Sequence, residues 1–340
     1  MSTPTNARQN RRIATTGPMM TLQTPREDVA AERAGRAGLI TLDRPAALNA
    51  LTLPMIRQIR AALDRHLADP AVEVIVIRST SPKAFCAGGD MRRIRALSLA
   101  GELDEIAAFF TEEYALNLAI SECRKPYVAL IDGVAMGGGL GLSVHGRHRV
   151  VTEHAVLAMP ETAIGFIPDV GASYFLSRID PAVGMWLALT GARVGGAEAV
   201  ASGLATQVTA PDRLPSLLAD LGDASAGSIE AVLQRHVEPI DLPRLQAALR
   251  ERAAGFDAER FADVLATWRT RAGDAALAAF SPAALASSFD LLRAARGKSL
   301  RECLAIEFEL SMTYARHPDF IEGARAVLVD KDRKPRWQQR

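Results

Sequence analysis

Two hydrophobic patterns succeed one another along this chain. Between about residues 38 and 160, short apolar runs alternate with segments of helical period. Gly38-Leu-Ile-Thr-Leu-Asp43 reads as a strand that stops at Arg44-Pro45. From Pro54 to Ala68, Met55, Ile56, Ile59, Leu63 and Leu67 recur near helical spacing and predict an amphipathic helix. Val72 to Ile77 is a β-branched run, which suits a strand buried on both faces. Leu103 to Ile120 reads as helix and Tyr127 to Ile131 as strand. A helix is expected to start in the glycine cluster at 137–139, with strands around Arg149-Val150-Val151 and from Ala155 to Met159. Strands alternating with helices predict an α/β unit whose sheet is at least partly parallel.

After about Leu214 the strand signal disappears. Ile229 to His236, Leu242 to Arg252, Glu259 to Arg271, Pro282 to Arg296 and Leu300 to Tyr314 all read as helices. Gly222 to Gly227 is the best linker candidate. The expected division is a disordered tail over 1–30, an α/β core over 31–222, and a helical region over 228–340 that completes the fold.

Composition narrows the class. A length of 340 residues suits roughly two domains of ~150 residues, and 49% hydrophobic with 23% charged residues fits a globular chain. Forty basic against 39 acidic residues leave no general attraction for nucleic acid or anionic membranes. Cys86, Cys123 and Cys303 cannot form a closed set of pairs, so a reducing compartment, the cytoplasm, is the expected location. Arg8, Arg11 and Arg12, with no acid before Glu27, have the charge of a transit peptide. Pro4, Pro18 and the scarcity of apolar residues speak instead for a disordered tail. The most apolar stretch, Tyr127 to Val144, is broken by Asp132 and dense glycine, so no membrane span is expected.

Candidate chemistry lies in three segments. Ala135-Met-Gly-Gly-Gly-Leu-Gly141 follows the strand at 127–131, and Ala84-Phe-Cys-Ala-Gly-Gly-Asp90 follows the one at 72–77. Each either closes a tight turn or exposes backbone N–H groups to a ligand, and two such turns can aim two donors at one carbonyl oxygen. The first lacks the Lys-Ser/Thr of a P-loop and the spacing of a dinucleotide fingerprint. The third segment, Ala158-Met-Pro-Glu161-Thr-Ala-Ile-Gly-Phe-Ile-Pro-Asp169-Val-Gly171, sets two carboxylates among apolar residues. They serve either as a helix cap and a solvated loop acid or as paired functional acids. Glu112 and Glu113 are adjacent on a predicted helix, so only one of them faces a given pocket. His145, His148 and His154 show no metal-ligand spacing, and no metal site is expected. Cys86 reads as a small buried residue ahead of a thiol nucleophile, and no Gly-x-Ser-x-Gly elbow supports a serine triad.

With these residues the chain resembles the enoyl-CoA hydratase/isomerase (crotonase) superfamily. The resemblance rests on Lys83-Ala-Phe-Cys-Ala-Gly-Gly-Asp90, Gly133-Val-Ala-Met-Gly-Gly-Gly139 and Met159-Pro-Glu161. It spans roughly Gly38 to Trp337. Met159 to Gly171, Phe109-Phe-Thr-Glu-Glu-Tyr114, Gly139 to Gly146 and Asp319 to Asp332 are similar to its 3-hydroxyisobutyryl-CoA hydrolase branch. The resemblance implies an α/β fold with a β-β-α spiral core, and assembly as a trimer or hexamer. It implies hydrolysis of a β-hydroxyacyl-CoA thioester, as in valine breakdown, with coenzyme A entering as part of the substrate and no separate cofactor. Gly89 and Gly138 would supply the two N–H donors, Glu161 and Asp169 the catalytic carboxylates, and Glu113 a substrate contact. Hydratases of the superfamily place a second catalytic glutamate two residues after the glycine triplet, where this chain has Gly141. An enoyl-CoA hydratase or isomerase and a non-catalytic acyl-CoA-binding protein are the rival readings.

Overall fold

A computed structural model describes Met1 and residues 28–338. The expected tail over 1–30 therefore lies almost wholly outside the described residues. Among the described residues, ten strands form two sheets. The larger contains β1 (Val29–Ala34), β2 (Ala37–Leu42), β3 (Val74–Ser79), β5 (Tyr127–Ile131), β7 (His148–Val151) and β10 (Gln207–Val208), in that spatial order. Only the β1–β2 pair in it is antiparallel. Between β2 and β3 the chain crosses over through helix α1 (Leu53–Ala68), and between β3 and β5 through α2 (Met91–Ala100) and α3 (Leu103–Ser121).

The apolar run of β3 has a direct cause. Ile75 and Ile77 join the main core beneath α1 and α3, while Val74 and Val76 join a second cluster on the opposite face. Successive strand side chains point to opposite faces, so a sheet covered on both sides needs apolar residues at every position. The second face is covered by Leu217 and Leu221 of α8 (Leu214–Asp223) and Ile229, Val232 and Leu233 of α9 (Ile229–Gln234).

This covering overturns the expected linker at Gly222–Gly227. Gly222 is buried in the last turn of α8, and its carbonyl accepts a 2.7 Å hydrogen bond from Arg36 N–H. Ala226 N–H donates to Glu73 Oε2 at 2.7 Å. Gly222 sits in the last turn of a helix packed on the sheet, and α8 and α9 belong to the sheet's second face, while Gly227 is exposed in the 3₁₀ turn between them.

The smaller sheet contains β4 (Ala84–Cys86), β6 (Val134–Met136), β8 (Val156–Ala158) and β9 (Val194–Gly195), in that order. Its first three strands run parallel. Their C-terminal ends therefore open on one edge, and the segments leaving them, 87–89, 137–139 and 160–161, become neighbours. The expected helix in the glycine cluster is a single turn, α4 (Gly138–Gly141).

Short helices α5 (Ala172–Leu176), α6 (Pro181–Thr190) and α7 (Gly196–Ser202) link the sheets to the C-terminal helices. Those are α10 (Leu242–Ala253), α11 (Phe261–Ala272), α12 (Asp274–Leu277), α13 (Pro282–Ala294), α14 (Leu300–Tyr314) and α15 (Pro318–Ala324), with a π-helical turn over Arg325–Val329. Ser299 and Glu302 form a capping box at the start of α14. Ser281 N–H donates to Thr162 O at 3.3 Å, which ties the helical region to the segment carrying Glu161. Among the described residues, no helix is long and apolar enough to cross a membrane.

Candidate active site

The two glycine turns meet. A Cβ placed on Gly138 would lie 3.4 Å from Gly89 N, and one on Gly88 would lie 3.5 Å from Gly138 N. Gly88 and Gly137 hold φ of +99° and +48°, where a side chain would be strained, so glycine is required at both corners. Leu51 braces the first turn by donating to Gly88 O at 2.8 Å and accepting from Asp90 N–H at 2.9 Å. Among the described residues, neither Gly89 N–H nor Gly138 N–H donates to another group. Gly138 opens α4, and the first amides of a helix have no partner within it.

These turns border a cavity of about 560 Å³, which Glu113, Glu161 and Asp169 also line. Its apolar wall includes Phe109, Phe110 and Phe166. Glu161 follows β8 and opens a 3₁₀ turn over Glu161–Ile164; a Cβ on Gly137 would stand 2.7 Å from its Oε1. Asp169 precedes Val170 and Gly171, with φ of +54° and +83°. Tyr114 O–H donates to Asp169 Oδ2 at 2.7 Å, and Ser311 Oγ lies 2.7 Å from the same phenol oxygen.

Glu112 and Glu113 divide as their adjacency requires. Glu112 faces outward and pairs with Arg57 through contacts of 2.8 and 2.7 Å. Glu113 is buried with Oε1 unpartnered, beside Gly138. Three carboxylates thus line one cavity. Burial, then the charge of Asp169, holds Glu161 and Glu113 well above the usual carboxylate range. Burial pushes Asp169 up to about 7, against the Tyr114 hydrogen bond, which favours its charged form. The three acids face one another, so each one's charge raises its neighbours and they titrate as a group.

Other candidates disperse. Half-buried His145 sits with Nε2 2.7 Å from Val170 O; desolvation lowers it to about 4, so the neutral ring donates there. His154 meets Asp132 at 3.2 Å, and His148 lies 3.8 Å from Glu230. Cys86 is buried, its thiol donates to Asn49 O, and burial pushes it up to about 12, which removes the thiolate that nucleophilic attack needs.

Sequence reading missed Tyr114, Ser311, Glu307 and Asn117. Asn117 stands one turn beyond Glu113 on α3, fully buried, with neither amide atom partnered among the described residues. Its helical spacing from Glu113 was a usable signal. So was the position of Glu307 and Ser311 on α14, where they share a buried stripe with Cys303, Leu304 and Tyr314.

Gly141 has no room for a side chain. A Cβ there would lie 2.9 Å from both Asn117 Nδ2 and Val170 Cβ. The Asp169–Val170 turn fills the space that a side chain at 141 would need.

The family model described as "Enoyl-CoA hydratase/isomerase" matches residues 37–340. The chain is 41% identical over 331 residues to "3-hydroxyisobutyryl-CoA hydrolase, mitochondrial" of Danio rerio, covering 92% of this chain and 85% of that protein. Against the Homo sapiens protein of the same name, identity is 42% over 327 residues, covering 92% and 84%. Among solved structures, an enoyl-CoA hydratase from Rhodobacter sphaeroides 2.4.1 superposes with a TM-score of 0.82 at 40% identity, covering 92% of this chain and 93% of that one. A carnitinyl-CoA dehydratase from Mycobacterium thermoresistibile gives 0.82 at 34%, covering 92% and 91%.

Proposed function

This chain belongs to the enoyl-CoA hydratase/isomerase family, and we propose that it hydrolyses 3-hydroxyisobutyryl-CoA to 3-hydroxyisobutyrate and coenzyme A. It is an acyl-CoA thioester hydrolase. The observation that carries this reading is the crowding at Gly141. Water addition to a double bond by the superfamily's two glutamates needs an acid at that position. Here Val170 and Asn117 occupy its space, and the acids that line the cavity beside Glu161 are Asp169 and Glu113.

The N–H groups of Gly89 and Gly138 would hold the thioester oxygen. Attack on a thioester concentrates negative charge on that oxygen, and loss of one fixed donor typically costs ~3–4 kcal/mol of barrier. Glu161 supplies the nucleophile by one of two routes. It attacks the carbonyl itself, expelling the CoA thiolate and leaving an anhydride that water then opens. Alternatively it takes a proton from water, whose oxygen attacks, and the C–S bond breaks as the tetrahedral intermediate collapses. In both routes one water is consumed, and the leaving thiolate takes a proton from a carboxylic acid of the site. Asp169 moves that proton and orients the substrate's 3-hydroxyl, and Glu113 contacts the acyl group. The exposed Arg193 and Arg333 line the same cavity and hold no ion pair among the described residues, which suits them to the coenzyme A phosphates.

Thiol release from 3-hydroxyisobutyryl-CoA, compared with 3-hydroxypropionyl-CoA and acetyl-CoA, tests the activity. Fast loss of the double bond of crotonyl-CoA with the thioester intact would favour a hydratase. No turnover across the panel would favour a binding protein. A single turnover in heavy-oxygen water separates the routes, since label enters Glu161 only by way of the anhydride. The reading needs no metal or redox cofactor, and dialysis against a chelator should leave the rate unchanged. It extends to trimeric or hexameric assembly, read by sedimentation. It also extends to a cytoplasmic location, supported by Pro4 and Pro18 within the Arg-bearing stretch, although the curated relatives are named mitochondrial; cell fractionation decides that point.

A further inference from the structure

We infer that Glu307 is a positioning residue for Asp169, acting through the Gly171–Ser173 turn. The inference rests on the proposed role of Asp169 in thioester hydrolysis. Glu307 is fully buried on α14 and does not line the cavity, so it does not touch substrate. Its carboxylate accepts from Gly171 N–H at 2.6 Å, from Ser173 N–H at 2.9 Å, and from the Ser173 hydroxyl. All three donors belong to one segment that begins two residues after Asp169.

That segment needs a tether. Val170 is β-branched yet holds φ +54°, and Gly171 follows at +83°. Two successive left-handed residues persist only where the surroundings over-determine them. Gly171 and Ser173 also lie at the start of α5, where amides have no partner within the helix. Three donors favour the charged form of Glu307, while burial still pushes it up to about 8.

The same helix holds the other end of Asp169. One turn beyond Glu307, Ser311 Oγ meets the Tyr114 hydroxyl, which donates to Asp169 Oδ2. Residues four apart share a helix face. A single face of α14 thus fixes the backbone after Asp169 through Glu307 and its carboxylate through Ser311 and Tyr114. His145 holds Val170 O from a third direction.

The test is a double-mutant cycle on 3-hydroxyisobutyryl-CoA, with kcat taken per folded enzyme in single-turnover and steady-state assays. Misplacing a reacting group by about 1 Å costs on the order of 10²-fold, so E307A should lower kcat about that much and move KM less than about threefold. E307Q, whose carbonyl still accepts one amide, should recover roughly tenfold. In a D169N background, E307A should change the rate by less than about twofold, because the group it positions is gone. Where E307A fails to fold, S173A enters the same cycle and should show the same dependence on Asp169. An equal effect in both backgrounds, or an unchanged kcat in E307A, overturns the inference alone. Full turnover by D169N overturns the role of Asp169 and the inference with it.

Discussion

Replacing Asp169 by Asn should lower activity and add stability, and the added stability should grow with pH. Burial pushes Asp169 up to about 7 from an ordinary value of 3.8. Between those values the folded chain keeps a proton that the unfolded chain releases, so stability falls as pH rises through the window and levels off above it. At about 1.36 kcal/mol per unit, the loss is about 2 kcal/mol at pH 5.5 and about 4 kcal/mol at pH 8.5. Asparagine does not titrate, and its side-chain oxygen can still accept from Tyr114 O–H. With ~2.1 cal/mol/K per residue of unfolding entropy, a chain of this length changes Tm by roughly 1.4 °C per kcal/mol. The Tm advantage of D169N should therefore be roughly 3 °C larger at pH 8.5 than at pH 5.5, with kcat down about 10²–10⁴-fold. Scanning calorimetry of both proteins at both pH values measures the difference. A Tm difference independent of pH, or larger in acid, would falsify the view of Asp169 as a desolvated acid kept for function.

Three further outcomes are expected. Gly138→Ala would put a Cβ 2.5 Å from Glu113 Oε1 and displace one of the two N–H donors, so kcat should fall about 10²–10³-fold; a rate within threefold of wild type would remove Gly138 from the oxyanion site. Glu112→Gln breaks an exposed pair with Arg57 and should leave kcat and Tm essentially unchanged, which separates its role from that of its neighbour Glu113. Buried Cys86, with its thiol pushed up to about 12, should resist iodoacetamide at pH 8 in the folded enzyme, and peptide mapping that finds it alkylated before unfolding would contradict its burial.

Much of this architecture was legible in the chain itself. The unbroken apolar run of β3 declared a strand covered on both faces, and the period of 54–68 declared a helix with one buried side. The glycine pairs marked corners where only glycine tolerates the backbone, and the acids at 161 and 169 stood out among apolar neighbours. Other elements left no such mark. Strands β4 and β6 are three residues each, too short to show a period. Helix α6 is apolar nearly all round, so it writes no amphipathic stripe. The segment 222–227 resembles a linker in composition, and only the packing of α8 on the sheet shows the other use of Gly222.

The site itself depended on the tertiary structure. By itself the sequence determined which residues can turn, cap, line a core or carry charge, because those properties follow from local backbone sterics and side-chain periodicity. It did not determine that Gly89 N and Gly138 N lie together, since strand order in the small sheet brings together segments some fifty residues apart. Nor did it determine that Glu307 reaches across 136 positions to Gly171. A carboxylate's protonation state depends on the water removed around it and on the charges and donors within a few ångströms. The fold brings those together; the spacing of acids along the chain does not record them.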